Sequence, residues 1–214
     1  MTAISKALYY LANPLLMPFV TLWLLFQIET GAINAIPPKL KVFLYVFSLV
    51  ICTVFPFFSI VGLKFTRAIK SIHLHQREDR IGPYILTIIY YCIAYYMLRY
   101  KFGIDYLLPP IVYSSLLGAI VSICLVAIIN LKTKISAHAV GIAGVLGAML
   151  AASNKYYMAN TYYVSFLIAI LMLVVGLTAT SRLWLKAHTE QQVYSGLLLG
   201  FLVEYIFVSY DIII

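Results

Sequence analysis

The sequence predicts an all-α, polytopic transmembrane helix bundle of about six or seven helices, and three observations carry that prediction. The first is charge. Among 214 residues there are fifteen Lys+Arg and seven Asp+Glu, 10% of the chain, where soluble domains carry roughly a quarter. The second is apolar content, 64% of residues with a mean hydropathy of +0.98. A soluble domain of this length could not bury that much apolar surface, because most residues of a small protein touch water. The third is spacing. Uncharged runs occupy 7–28, 42–63, 81–98, 106–131, 135–154 and 156–181, and each is long enough for a helix to cross a ~30 Å hydrocarbon core. A further run from Gln191 is broken only by Glu204 before Asp211. Together these exclude a soluble globular domain, a disordered chain, a collagen and a disulfide scaffold. They leave one integral-membrane domain over 1–214.

In lipid the backbone must satisfy its own hydrogen bonds, so the runs read as helices. The ten-residue alternation of a membrane barrel is missing. The expected helices are 8–27, 43–63, 82–99, 108–130, 137–153, 161–180 and 190–211. The first follows Lys6 like a secretory leader, yet it lacks a small-residue cleavage site and holds Asn13, Pro14 and Pro18. It is expected to be retained and bent at its prolines. The fifth is softened by Gly141, Gly144 and Gly147. Its small residues suit a short, tilted or interior helix in close contact with a neighbour.

Other chemistries are thinly represented. Cys52, Cys92 and Cys124 sit in apolar runs without a CxxC pair, so neither a metal site nor a disulfide is expected. No basic helix face points to nucleic acid, and no glycine-rich loop points to a nucleotide cofactor.

The charges sort by membrane side. One side, A, receives the N-terminus with Lys6 and the loops near 64–81, 131–136 and 181–189; the other, B, receives the loops near 28–42, 100–107 and 154–160 and the C-terminus. All four histidines (His73, His75, His138 and His188) and ten of the fifteen basic residues fall on side A. Side B is rich in tyrosine, which reads as an interfacial aromatic belt. Lys and Arg alone would express a topology signal, whereas imidazoles at helix starts beside them suit a site that handles an anion.

Three segments of side A carry the pattern: Lys70 with Arg77 and Arg80 before Pro83; Ser136-Ala137-His138; and Ser181-Arg182, five residues, His188, three residues, Gln192. In spacing and order they resemble the type 2 phosphatidic acid phosphatase superfamily, over about residues 64–204. That family carries a Lys, six residues, then Arg-Pro; a Ser-Gly-His; and a Ser-Arg, five residues, His, three residues, Asp. The resemblance implies an integral-membrane lipid phosphatase in the cell membrane, acting on a phosphorylated lipid without metal or cofactor. His188 would be the nucleophile and His138 the general acid, with Gln192 at the orienting position. Lys70, Arg77 or its rival Arg80, Ser136 and Arg182 would hold phosphate.

The residue types suit that chemistry. A phosphomonoester carries nearly two negative charges at neutral pH, which call for forked Arg donors, a Lys point charge and backbone N–H groups at a helix start. A residue four beyond His188 shares its helical face and can hold the distal imidazole nitrogen. Three positions depart from the family: Gln192 replaces Asp, Ala137 replaces Gly, and Glu78 follows Arg77 where Pro is expected. Thr189-x-x-Gln192 also fits a capping box, and Ser136 an N-cap. Lys132, Lys134 and Lys186 read as surface or lipid-headgroup contacts. The competing functional reading is a protein that binds or moves an anionic lipid without chemistry. A proton- or ion-coupled transporter is a third, with Glu204 as its one intramembrane acid.

Overall fold

The computed structural model describes residues 12–71, 77–156 and 160–214. Among these residues the chain is helical, with eight helices and no strands. They are α1 (Pro14–Leu25), the short α2 (Gly31–Asn34), α3 (Pro38–Phe65), α4 (Glu78–Lys101), α5 (Pro110–Asn130), α6 (Ala137–Lys155), α7 (Thr161–Trp184) and α8 (Glu190–Ser209). Six of them, α3 to α8, are long and apolar enough to cross a membrane. The protein is therefore an all-α, multi-pass membrane bundle.

Five of the long helices follow the expected segments to within a few residues at each end, and α3 begins five residues before its own. The exception is the first. Among the described residues α1 covers Pro14–Leu25, opening with a 3-10 turn over Pro14–Leu16. Its twelve residues reach only about 18 Å, so no spanning helix of 8–27 is seen there; residues 8–11 lie outside the described part. Pro14 and Pro18, which lack N–H donors, sit in its first two turns, where orphan donors would otherwise need partners. Leu25, Ile28, Ile33 and Ile36 are all nearly inaccessible, so the connection through α2 is packed into the bundle.

Prolines also shape α3. Pro56 cannot donate to its preceding turn, and the helix widens into a π-turn over Val50–Val54 just ahead of it. Three helix ends share one device. α3, α7 and α8 close with Arg67, Lys186 and Asp211 at positive φ. In each case the next N–H reaches back five residues: Ala68 to Leu63, Ala187 to Arg182, Ile212 to Phe207. These are Schellman turns built without glycine.

Burial separates centre from edge. In α5 and α6, 61% of the most apolar window is buried, against 17% in α3. α6 is thus the interior helix, in contact with α1, α5, α7 and α8, and α3 lines the lipid-facing edge with Phe55, Phe57 and Phe58 exposed. The closest packing joins α6 to α8. A Cβ on Gly200 would come within 2.0 Å of the Val140 carbonyl oxygen, and one on Gly147 within 2.4 Å of that of Phe201. The two backbones touch, which only glycine permits. The small residues that soften α6 in sequence are what bury it.

Candidate functional site

The site forms where α8 begins, because its first turn is docked on the first turn of α6. Ser136, fully buried, is the N-cap of α6; its Oγ accepts from the Ala139 N–H at 3.4 Å. Its own N–H donates to the Gln192 carbonyl at 3.1 Å. Gly196, one turn further along α8, leaves room for the Ser136 carbonyl, which a Cβ would meet at 3.0 Å. The second and third sequence segments are therefore in direct contact.

The gap between Arg182 and His188 is built by the Schellman turn of α7. Lys186 in the left-handed region donates to Leu183, Ala187 donates to Arg182, and the chain reverses. Ser181 and Arg182 stay buried on the last turn of the span, and His188 returns half-buried above α8.

There His188 Nδ1 lies 3.0 Å from Gln192 Oε1. The same Oε1 accepts from the Thr189 N–H at 3.3 Å, and Thr189 Oγ1 accepts from the Gln192 N–H at 3.4 Å. This is a full capping box. The two roles that the sequence leaves open for Gln192, cap and imidazole partner, are filled at once by one oxygen. The Thr189 N–H can only donate, so the Gln192 atom facing it is the oxygen, and His188 Nδ1 must then carry the proton. Its Nε2 holds the lone pair.

Burial pushes the His188 pKa down from 6.5 to about 4. The Gln192 hydrogen bond opposes this, while the positive charges of Arg80, Arg182 and Lys134 add to it. The imidazole is neutral at physiological pH, in a field set by three cations: Arg80 from the start of α4, Lys134 from the loop before α6, and Arg182 from the end of α7. Arg80 stands on the opening turn of α4 beside Tyr84.

The first segment divides. Arg77 turns away from His188: its Nη1 donates to the Lys132 carbonyl at 2.8 Å and its Nε lies 3.5 Å from Glu78. It ties the loop before α4 to the loop before α6, as does Asn130, which donates to the Arg77 carbonyl at 3.0 Å. Lys70 is exposed; its N–H donates to Asp79 and its carbonyl accepts from Lys64. His138 is half-buried in the first turn of α6. His73 and His75 lie outside the described residues. Lys134, read from sequence as a headgroup contact, joins the cations acting on His188. Its position two residues before the Ser136 cap was the available signal.

Among the described residues no three His, Cys, Asp or Glu side chains gather to hold a metal. A mostly apolar crevice lies among α1, α3, α4 and α5 beside Leu22, Phe47, Leu98 and Leu116, and shares no residue with this site. Comparison of the chain with protein-family models, curated proteins and solved structures finds no match.

Proposed function

We propose that this protein is a cell-membrane lipid phosphatase that cleaves a phosphate monoester or pyrophosphate of a lipid through a phosphohistidine. The observation that carries the reading is the neutral, oriented His188 imidazole, with Nδ1 tied to Gln192 and Arg80, Lys134 and Arg182 around it. The cations gather the phosphoryl oxygens and spread the charge of the transition state. The Nε2 lone pair attacks phosphorus and the bond to the leaving oxygen breaks. His138, placed by the family resemblance as general acid, gives that oxygen a proton. Water then attacks the phosphohistidine, phosphate departs, and the proton of the water returns to His138.

Gln192 sets the pace of this scheme. Its amide orients the ring but brings no negative charge to balance the imidazolium formed on phosphorylation. Replacing the carboxylate of a serine-protease triad by a neutral amide costs about four orders of magnitude, partly through a wrong tautomer. Here the tautomer is held, so the loss is smaller. The neutral amide is also what favours the second reading, in which the same cations hold an anionic lipid without chemistry.

Phosphate release from purified protein decides between them. A panel of phosphatidate, phosphatidylglycerophosphate, polyprenyl pyrophosphate and lipid A is supplied in detergent with a chelator. Release by the wild type that His188→Ala abolishes is the expected result. Equal release by both ends the phosphatase proposal, and lipid binding that survives His188→Ala with no turnover in the wild type establishes the second reading.

A further inference from the structure

We infer that Glu204 is a proton-binding site inside the membrane, its carboxyl un-ionised where it sits between α5 and α6. It stands fifteen residues into α8, is 5% exposed, and its Oε2 is buried with no hydrogen-bond partner. The carboxyl fills a notch cut by two glycines. A Cβ on Gly118 of α5 would lie 2.8 Å from Oε2, and one on Gly144 of α6 would lie 3.0 Å from the Glu204 Cγ. Along α5 and α6 the notch lies about 10 to 18 Å from either helix end, and along α8 Glu204 lies about 21 Å from Glu190 and about 8 Å from Ser209, inside all three spans.

No charge is placed to compensate a carboxylate there. α5 carries no Asp, Glu, Lys, Arg or His; its titratable groups are Tyr113 and Cys124, five residues before and six after Gly118. On α6 the nearest are His138, six residues before Gly144, and Lys155, eleven after. Lys155 is committed to an ion pair with Asp211. On α8 itself the other titratable groups are Tyr205, Tyr194 ten residues earlier and Glu190 fourteen residues earlier. Among the described residues no ion pair involves Glu204. An isolated carboxylate in such a medium is far costlier than the neutral acid, so the group takes up a proton instead. The glycines fit that state: they bring α5 and α6 backbone against the carboxyl and leave no space for a hydrated ion. Releasing the proton requires water to reach the notch, which means parting α8 from α5. The inference stands independently of the phosphatase reading.

Infrared spectra of the protein in lipid bilayers, prepared with and without ¹³C-glutamate, test it. At neutral pH the spectrum should hold the carbonyl stretch of one un-ionised carboxyl per chain that moves with the label. The other glutamates, Glu29, Glu78 and Glu190, are exposed. The band should vanish reversibly at alkaline pH and be missing from Glu204→Gln. The absence of a label-sensitive un-ionised band at neutral pH overturns the inference, as does a band that survives in Glu204→Gln or that alkali never removes. If Glu204→Gln does not fold, the labelled wild type alone decides the matter.

Discussion

At the scale of the residue, one amide oxygen fixes the chemistry of one imidazole. His188 titrates near pH 4 rather than 6.5 in the fold, so its Nε2 stays unprotonated across the physiological range. The acid limb of kcat/KM, measured on a lipid phosphate, should therefore fall near pH 4 and not near 6.5. The stability effect has the same origin. Between pH 6.5 and 4 the unfolded chain binds a proton at this histidine that the folded one refuses, so stability declines as pH falls through that window. Thermal melting of the wild type in detergent should show this slope, and His188→Gln should flatten it. Gln192→Asp places a carboxylate against Nδ1–H. It should raise the His188 titration point, read by NMR, and raise turnover by a factor bounded at about 10⁴. An unmoved titration point would remove Gln192 from its orienting role. The four-residue step from His188 to Gln192 was legible in sequence because helical geometry puts those positions on one face. The choice between Arg77 and Arg80 was not, since both lie within one turn of the start of α4. In the structure Lys132 and Glu78 draw Arg77 aside.

At the scale of the element, the close crossing of α6 and α8 holds the site together. Gly200→Ala and Gly147→Ala each set a methyl group against a carbonyl oxygen of the facing backbone. Each should cost about 1–3 kcal/mol by overpacking, seen as a lower melting temperature in detergent. Gly176→Ala, with nothing within 4 Å of the new Cβ, should cost nothing and serves as the control. Loss of stability in Gly176→Ala equal to that in Gly200→Ala would refute the account of the crossing. The run of small residues in α6 announced a close contact, but its partner was not legible. Nothing in a single sequence says that Gly196 and Gly200 of α8 supply the opposing surface. α1 misled for a different reason: hydropathy over 8–27 measures apolar length and is blind to a helix that ends at Leu25 and folds its continuation into the core.

At the scale of the whole molecule, the six spans among the described residues set the topology. An even number returns the chain to the face it left, so Pro38 and Ser209 lie on one side and the His188 site on the other. Single cysteines at the exposed positions Lys132 and Lys186 should react with an impermeant maleimide from the same side of sealed vesicles. Cysteines at Lys39 and Tyr106 should react only from the opposite side. Cys52, Cys92 and Cys124 sit within spans and give a common background. Reaction of all four positions from one side would contradict the six-span bundle. This level was the most legible, because lipid imposes length and composition on every spanning segment regardless of side-chain detail.

The contact of Val140 with Gly200 lies one helical turn from the pairing of Ser136 with Gln192. Backbone meets backbone there, with no compressible side chain between, so the crossing behaves as a fulcrum. Gly200 lies near the middle of α8, so a thicker or thinner bilayer that tilts this helix would swing both ends about the crossing, the turn beside His188 on one face and Tyr210 on the other. Glu204, one turn from Gly200, would move least.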